Sequence, residues 1–242
     1  MKINVLDLLY PPKCVFCRDI LRLGKEEGIC RTCSEEIEYI TGEICPMCGK
    51  PVGKPIKACH ECRSFESFFT RNYALFAYEG MVREAIHRFK YKRNPQYGKY
   101  FAKAMTQKFH AEITAHDFLI AIPMYHTKMK RRGFNQADIL AKEISALTGV
   151  PTLDNVLIRT KDTKAQQALN RAARFNNLSD AFALTSDEHI KGKKILLVDD
   201  IFTTGTTINK CAKILNGSAA ELINSLTISV VEEEQKKDEK KR

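Results

Sequence analysis

The sequence predicts an α/β fold: a domain built on a parallel sheet, preceded by a small zinc-ribbon domain. Two observations carry this. Eight of the nine cysteines stand in four C-x-x-C pairs within the first 62 residues, and from residue 71 onward short apolar runs alternate with helical stripes. The runs at 118–122 and 195–198 lack polar alternation. Such strands are buried on both faces, the condition of a parallel sheet covered by helices. A chain of 242 residues holds one such domain and a smaller module.

The cysteine pairs are Cys14 and Cys17, Cys30 and Cys33, Cys45 and Cys48, and Cys59 and Cys62. A C-x-x-C pair converges two thiolates on one tetrahedral ion, and two pairs close a four-thiolate site. The spacers are 12 residues in the first half and 10 in the second, and Cys45-Pro46-Met47-Cys48-Gly49 has the Pro and Gly of a tight zinc knuckle. Two structural zinc ions are expected, with each half supplying its own four ligands in sequence order. Redox chemistry is disfavoured because a redox C-x-x-C needs a βαβ setting, and disulfides are disfavoured inside a cytosolic chain. His60 lies within Cys59-His60-Glu61-Cys62 and is read as a bystander. Cys211 shares a helical stripe with Ile208, Ala212 and Leu215 and is read as core.

The α/β domain is read in order. Residues 74–78 form a strand; Val82, Ala85, Ile86 and Phe89 make one helical stripe, and Tyr97, Phe101, Ala104, Met105 and Lys108 a second. Residues 118–122 form a central strand ended by Pro123. Ala137, Leu140, Ala141, Ile144 and Leu147 define a helix stopped by Gly149. Residues 156–158 form a short strand, 161–177 a long polar loop, 195–198 the most apolar strand, and 226–231 the last one. The predicted boundaries are 1–68 for the zinc module, 69–231 for the α/β domain and 232–242 for a charged tail.

The net charge of +10 is unevenly placed. Residues 71–135 carry thirteen bases against four acids, whereas 1–70 carry ten of each. Concentrated positive charge points to a polyanionic partner. Arg83, Arg88, Lys90, Lys92 and Arg93, with His87 beside them, alternate with Phe89, Tyr91 and Tyr97. Phosphate neutralisation with aromatic stacking suits single-stranded nucleic acid. A solvated helix face is the equal alternative on these residues alone, and Phe89 belongs to the buried stripe. No apolar run reaches the ~20 residues of a membrane span, and the apolar stretch at the start is too short for a signal peptide. A cytoplasmic protein is expected.

Residues 194–209 read KILLVDDIFTTGTTIN. Ligands of open α/β sheets sit beyond the carboxyl ends of strands, where Asp199 and Asp200 stand. Thr203, Thr204, Gly205, Thr206 and Thr207 then lead into a helix, so small residues let the backbone curl around an anion. Hydroxyls and helix N-terminal amides donate to it. Two carboxylates repel a phosphate, and are better used on sugar hydroxyls or a ligand-bound metal. A ribose 5-phosphate satisfies both halves.

This stretch resembles the phosphoribosyl pyrophosphate (PRPP) loop of type I phosphoribosyltransferases. The whole chain resembles the ComF/ComFC family of competence proteins, through the cysteine pairs, Phe89-Lys90-Tyr91, Ile122-Pro123 with Arg131-Arg132-Gly133-Phe134-Asn135-Gln136, Gln166 to Arg171 with Asn177, and the PRPP loop. The resemblance implies a type I phosphoribosyltransferase-like domain. In it Asp199 and Asp200 hold the ribose hydroxyls and residues 203–207 hold the 5-phosphate. Lys128, Lys130, Arg131 and Arg132 are candidates for pyrophosphate, with Mg²⁺ accompanying PRPP. Residues 161–177 would be a mobile loop, with Arg171 or Arg174 closing the site. Phe202 replaces a simpler aliphatic residue, and no base-recognition element is apparent. The resemblance also implies a role in natural transformation, with single-stranded DNA as partner. The charge-balanced zinc module is then given a structural or protein-docking role. The alternatives are an active phosphoribosyltransferase of nucleotide metabolism, transferring ribose 5-phosphate with release of pyrophosphate, or a zinc-ribbon adaptor with a relic fold. An intact loop speaks for ligand binding and is silent on turnover.

Overall fold

The computed structural model describes residues 11–22, 27–64, 66–92, 94–160 and 181–231. Arg93, the 161–177 segment with Arg171 and Arg174, and the 232–242 tail lie outside them.

The main sheet has four strands: β1 (Asn72–Ala77), β2 (Phe118–Ala121), β5 (Lys194–Phe202) and β6 (Leu222–Val230). Their order is β1-β6-β5-β2, and every pairing is parallel. Side chains alternate across the sheet, and β5 divides its own cleanly. Leu196 and Val198 join a core with Leu119, Leu226 and Ile228, beneath helices α3 (Gly80–Tyr91), α4 (Pro95–Thr114) and α6 (Gln136–Thr148). Ile195 and Leu197 join the opposite core, with Ile120 and Ile223 and with Cys211 and Leu215 of helix α7 (Thr206–Gly217). The apolar run at 195–198 is therefore a central strand covered on both faces, whereas β2, expected to be central, stands at the end of the strand order among the described residues.

Helix ends follow local chemistry. Asn94 caps α4 through its side chain, accepting from the Gln96 amide, with Pro95 in the first turn. Asn135 caps α6 likewise on the Ala137 amide, and Gly149 ends it in the left-handed region at φ 77°.

The structure departs from the sequence reading in further places, and β6 begins at Leu222 rather than at 226. The expected strand at 156–158 is β3 (Leu157–Arg159), which lies outside the parallel sheet and pairs antiparallel with β4 (Phe182–Leu184). Three-residue strands carry too short a pattern to reveal a partner. A short helix, α5 (His126–Arg132), occupies a stretch read as loop; it buries no residue, so it has no apolar stripe to reveal it. Finally, β5 continues through Asp199 and Asp200 to Phe202 rather than ending at 198. Backbone pairing with β6 (Asp199 opposite Thr227, Ile201 opposite Ser229) holds these polar positions in the strand.

The two cysteine modules are built into the domain. They contain helices α1 (Arg31–Glu36) and α2 (His60–Arg63). Cys14, Val15, Phe16 and Leu21 share a core with Phe76, Phe101 and Met105, and Phe16 meets Phe76, Tyr100 and Phe101 edge-on at 5.5–6.2 Å. Cys45, Cys48 and Cys62 share the opposite core with Phe69 and Ala74. Asn72 of β1 donates to the Cys48 carbonyl at 3.0 Å. Gly49 sits at φ 75° against the Asn72 carbonyl, where a Cβ would approach to 2.8 Å, so the knuckle requires glycine. Asn209 of α7 holds the segment leaving the second module, accepting from the Phe68 amide at 2.7 Å and donating to the Glu66 carbonyl at 2.8 Å.

Candidate functional site

The cysteines converge as two separate groups of four, Cys14, Cys17, Cys30 and Cys33, and Cys45, Cys48, Cys59 and Cys62. Within each group the Sγ atoms lie within 4.8 Å of one another. Tetrahedral coordination with Zn–S bonds near 2.3 Å places thiolates about 3.8 Å apart. Cys17 and Cys30 are 3.6 Å apart, and Cys48 and Cys59 are 3.7 Å apart. Backbone amides point at the sulfurs, Cys33 N to Cys30 Sγ at 3.5 Å and Cys59 N to Cys45 Sγ at 3.3 Å. Such donors suit thiolates. The residues fit two structural zinc ions, each held within one half of the module. His60 is absent from both groups, whereas its neighbour Glu61 forms a shielded ion pair with Lys50.

The second site lies at the carboxyl edge of the sheet. There β5 delivers Asp199 and Asp200, and a three-residue turn leads into α7. Gly205 caps that helix at φ 73°, and a Cβ on it would come within 2.4 Å of Phe202 Cζ. Phe202 is 1% exposed and meets Phe69 edge-on at 6.0 Å. The unusual aromatic at this position is therefore the floor on which the glycine turn rests. The four threonines divide into two pairs. Thr204 and Thr206 are buried, with their hydroxyls 2.8 Å apart, and they fix the shape of the turn. Thr203 is exposed and Thr207 half-buried, leaving their hydroxyls at the surface of the loop. The first amides of α7 have no helical acceptor and carry the positive end of the helix dipole.

The two carboxylates separate according to strand alternation. Asp200 lies on the α3 side and pairs with Lys90 Nζ at 3.0 Å. Asp199 lies on the α7 side, within the fields of Cys211 and Arg159, and accepts from the Asp200 amide at 2.8 Å. Burial first, and the charge of Asp200 second, push Asp199 up to about 7. Burial also pushes the Cys211 thiol up, consistent with a core role for that cysteine.

The basic residues read from sequence go to different places. Lys128, Lys130, Arg131 and Arg132 ride on α5, which follows β2 at the same sheet edge. Lys130 and Arg131 are exposed, and Lys128 and Arg132 half-buried. Arg132 donates to Gln136 Oε1 at 3.1 Å, and Gln136 donates to the Lys90 carbonyl at 3.3 Å. Asn135 donates to the Ile122 carbonyl at 2.9 Å, tying down the turn after β2. Asn135 and Gln136 were legible only as part of a family motif, not as the braces they are.

Arg83 on α3 and Lys92 just after it are exposed, and Tyr91 is 52% exposed between His87, at 4.7 Å, and the Arg132 guanidinium, at 5.1 Å. Arg88, read as a nucleic-acid candidate, does not face outward. Its side chain turns inward to the carbonyls of Val15 and Phe16, inside the first zinc knuckle, and to Glu84. Lys90 likewise faces Asp200 rather than solvent. Tyr97, read as a stacking candidate, is 6% exposed and packs on Phe89. A cavity of about 330 Å³ lies away from this edge, between the first zinc module and α4, lined by Ile29, Ile37, Tyr39, Tyr100 and Lys103 among others. It takes no residue from the Gly205 turn.

Comparison with known proteins yields two family models, a double zinc ribbon domain over residues 5–63 and a phosphoribosyl transferase domain over residues 129–242. Competence protein F of Haemophilus influenzae is 29% identical over 87% of this chain and 93% of its own length. The DNA utilization protein YhgH of Escherichia coli K12 is 30% identical over 88% of this chain and 95% of its own. Competence protein ComFC of Bacillus subtilis is 29% identical over 87% of this chain and 88% of its own.

Proposed function

The chain belongs to the family of competence protein F, ComFC and YhgH, and from that premise we propose that it binds PRPP and serves DNA uptake and utilization in natural transformation. The observation that carries the ligand is the β5–α7 turn. A glycine in the left-handed region, a buried Thr204–Thr206 pair and the helix amides form an anion cradle beside two carboxylates. In this reading the 5-phosphate sits on residues 203–207, and the ribose hydroxyls donate to Asp199 and Asp200. The pyrophosphate faces Lys128, Lys130, Arg131 and Arg132 on α5. Mg²⁺ bound with PRPP would neutralise part of the pyrophosphate charge.

Single-stranded DNA is the macromolecular partner in this reading, handled in the cytoplasm. Its support is the excess of bases in residues 71–135 together with the outward Arg83 and Tyr91 on α3 and Lys92 just beyond it. A second reading is transfer of ribose 5-phosphate to an acceptor with release of pyrophosphate, as in nucleotide metabolism; the intact loop would serve it and simple PRPP binding alike.

Calorimetry with Mg²⁺ and PRPP tests the site. Asp200→Asn should weaken PRPP binding at least tenfold, since each hydrogen bond to a charged group contributes about 1.5–3 kcal/mol. Equal affinity in wild type and variant would overturn the assignment. A pyrophosphate-release assay with bases and single-stranded oligonucleotides as acceptors separates binding from transfer.

A further inference from the structure

The Lys90–Asp200 contact joins the proposed sugar carboxylate to a lysine that sequence reading placed on the nucleic-acid surface. The ammonium is 3.0 Å from Asp200 Oδ1, and the side chains are only 20% and 13% exposed. The lysine backbone is held from the other side, because Gln136, itself 1% exposed, donates to the Lys90 carbonyl. Gln136 in turn accepts from Arg132. A fixed backbone with a four-carbon stem lets the ammonium pivot over a few ångströms while its root stays put. The outward positions of the same turn are filled by Tyr91 and Lys92.

From this geometry, and resting on the ribose phosphate reading of the site, we infer that Lys90 is a transferable counter-ion. It pairs with Asp200 while the site is empty and passes to the pyrophosphate oxygens when the sugar hydroxyls take over the carboxylate. Adjacent carboxylates at the mouth of the site repel a polyanion. A lysine that neutralises one of them removes part of that repulsion and is then available as a point charge for phosphate. Loss of either partner removes the ion pair while the other stays largely shielded from water. The two partners should therefore act in opposite directions on a bare anion.

Inorganic pyrophosphate is the probe, titrated at fixed Mg²⁺ into the full-length, zinc-loaded protein. Lys90→Met should weaken pyrophosphate binding about tenfold or more. Asp200→Asn, which leaves Lys90 in place, should tighten it severalfold, and most of that gain should disappear in the double variant. Lys90→Met should keep its affinity for a single-stranded oligonucleotide within twofold of wild type. Pyrophosphate affinity unchanged in Lys90→Met, or unchanged or weakened in Asp200→Asn, overturns the inference. So does a loss of oligonucleotide binding in Lys90→Met with pyrophosphate binding intact. PRPP binding by the wild type is scored separately. If pyrophosphate behaves as stated and PRPP does not bind, the ribose phosphate reading fails while Lys90 remains an anion ligand.

Discussion

Asp199 occupies a strained electrostatic position. Burial, reinforced by the adjacent Asp200, raises its carboxyl from 3.8 to about 7. The folded chain therefore holds a proton that the unfolded chain has released across that interval, and stability falls as pH rises through it. Asp199→Asn removes the ionisable group while keeping its shape. The variant should be more stable than wild type at pH 8, by on the order of 2 kcal/mol, and the difference should shrink as pH falls toward 4. Thermal unfolding at both pH values checks this; a pH-independent gap would show that the carboxylate is not destabilised. The ligand site thus carries an electrostatic cost, offset in part by the Asp200 amide, Lys90 and Arg159, that sugar hydroxyls or a bound cation would offset further.

At the scale of elements, β5, the turn and α7 act as one piece, because Phe202 supports Gly205 from below. Gly205→Ala combines a left-handed φ with a Cβ pushed against an aromatic ring. It should cost about 1–3 kcal/mol and reduce PRPP affinity, since the turn must shift to admit the methyl group. Wild-type affinity with unaltered stability would mean that the turn is softer than its packing implies. This unit was largely legible from sequence: a continuous apolar run, two acids and a Thr/Gly turn report strand, sheet edge and turn through local chemistry. The strand β3 was expected, but its antiparallel pairing with β4 and the helix α5 were not legible, because a three-residue strand does not reveal its partner and an unburied helix has no period to display. The inward turn of Arg88 was hidden for another reason. Its partners are backbone carbonyls more than seventy residues away, and carbonyls leave no signature in a sequence.

For the molecule as a whole, the sequence suggested a zinc module followed by a domain, and the apolar cores take residues from both. The first module shares its apolar core with α4 and β1, and the second lies on the opposite side of the sheet. Metal binding should therefore be folding energy for the entire chain rather than for residues 1–68 alone. Elemental analysis is expected to give two zinc per chain. Chelation should lower the melting temperature of the whole protein in one transition, followed by circular dichroism. A helical signal that survives complete zinc removal with unchanged melting would show that the α/β domain stands by itself.

The spacing of Arg88 and Lys90 on α3 has a consequence for how this chain can vary. The first is anchored to the carbonyls of a metal knuckle, and the second reaches a carboxylate at the sheet edge, with a single residue between them. One residue added to or removed from that turn rotates everything beyond it by about 100°. Either the knuckle or the carboxylate then loses its cation. Insertions and deletions that other surface helices absorb should be absent from this one among functional relatives, while substitutions on its outer face accumulate freely.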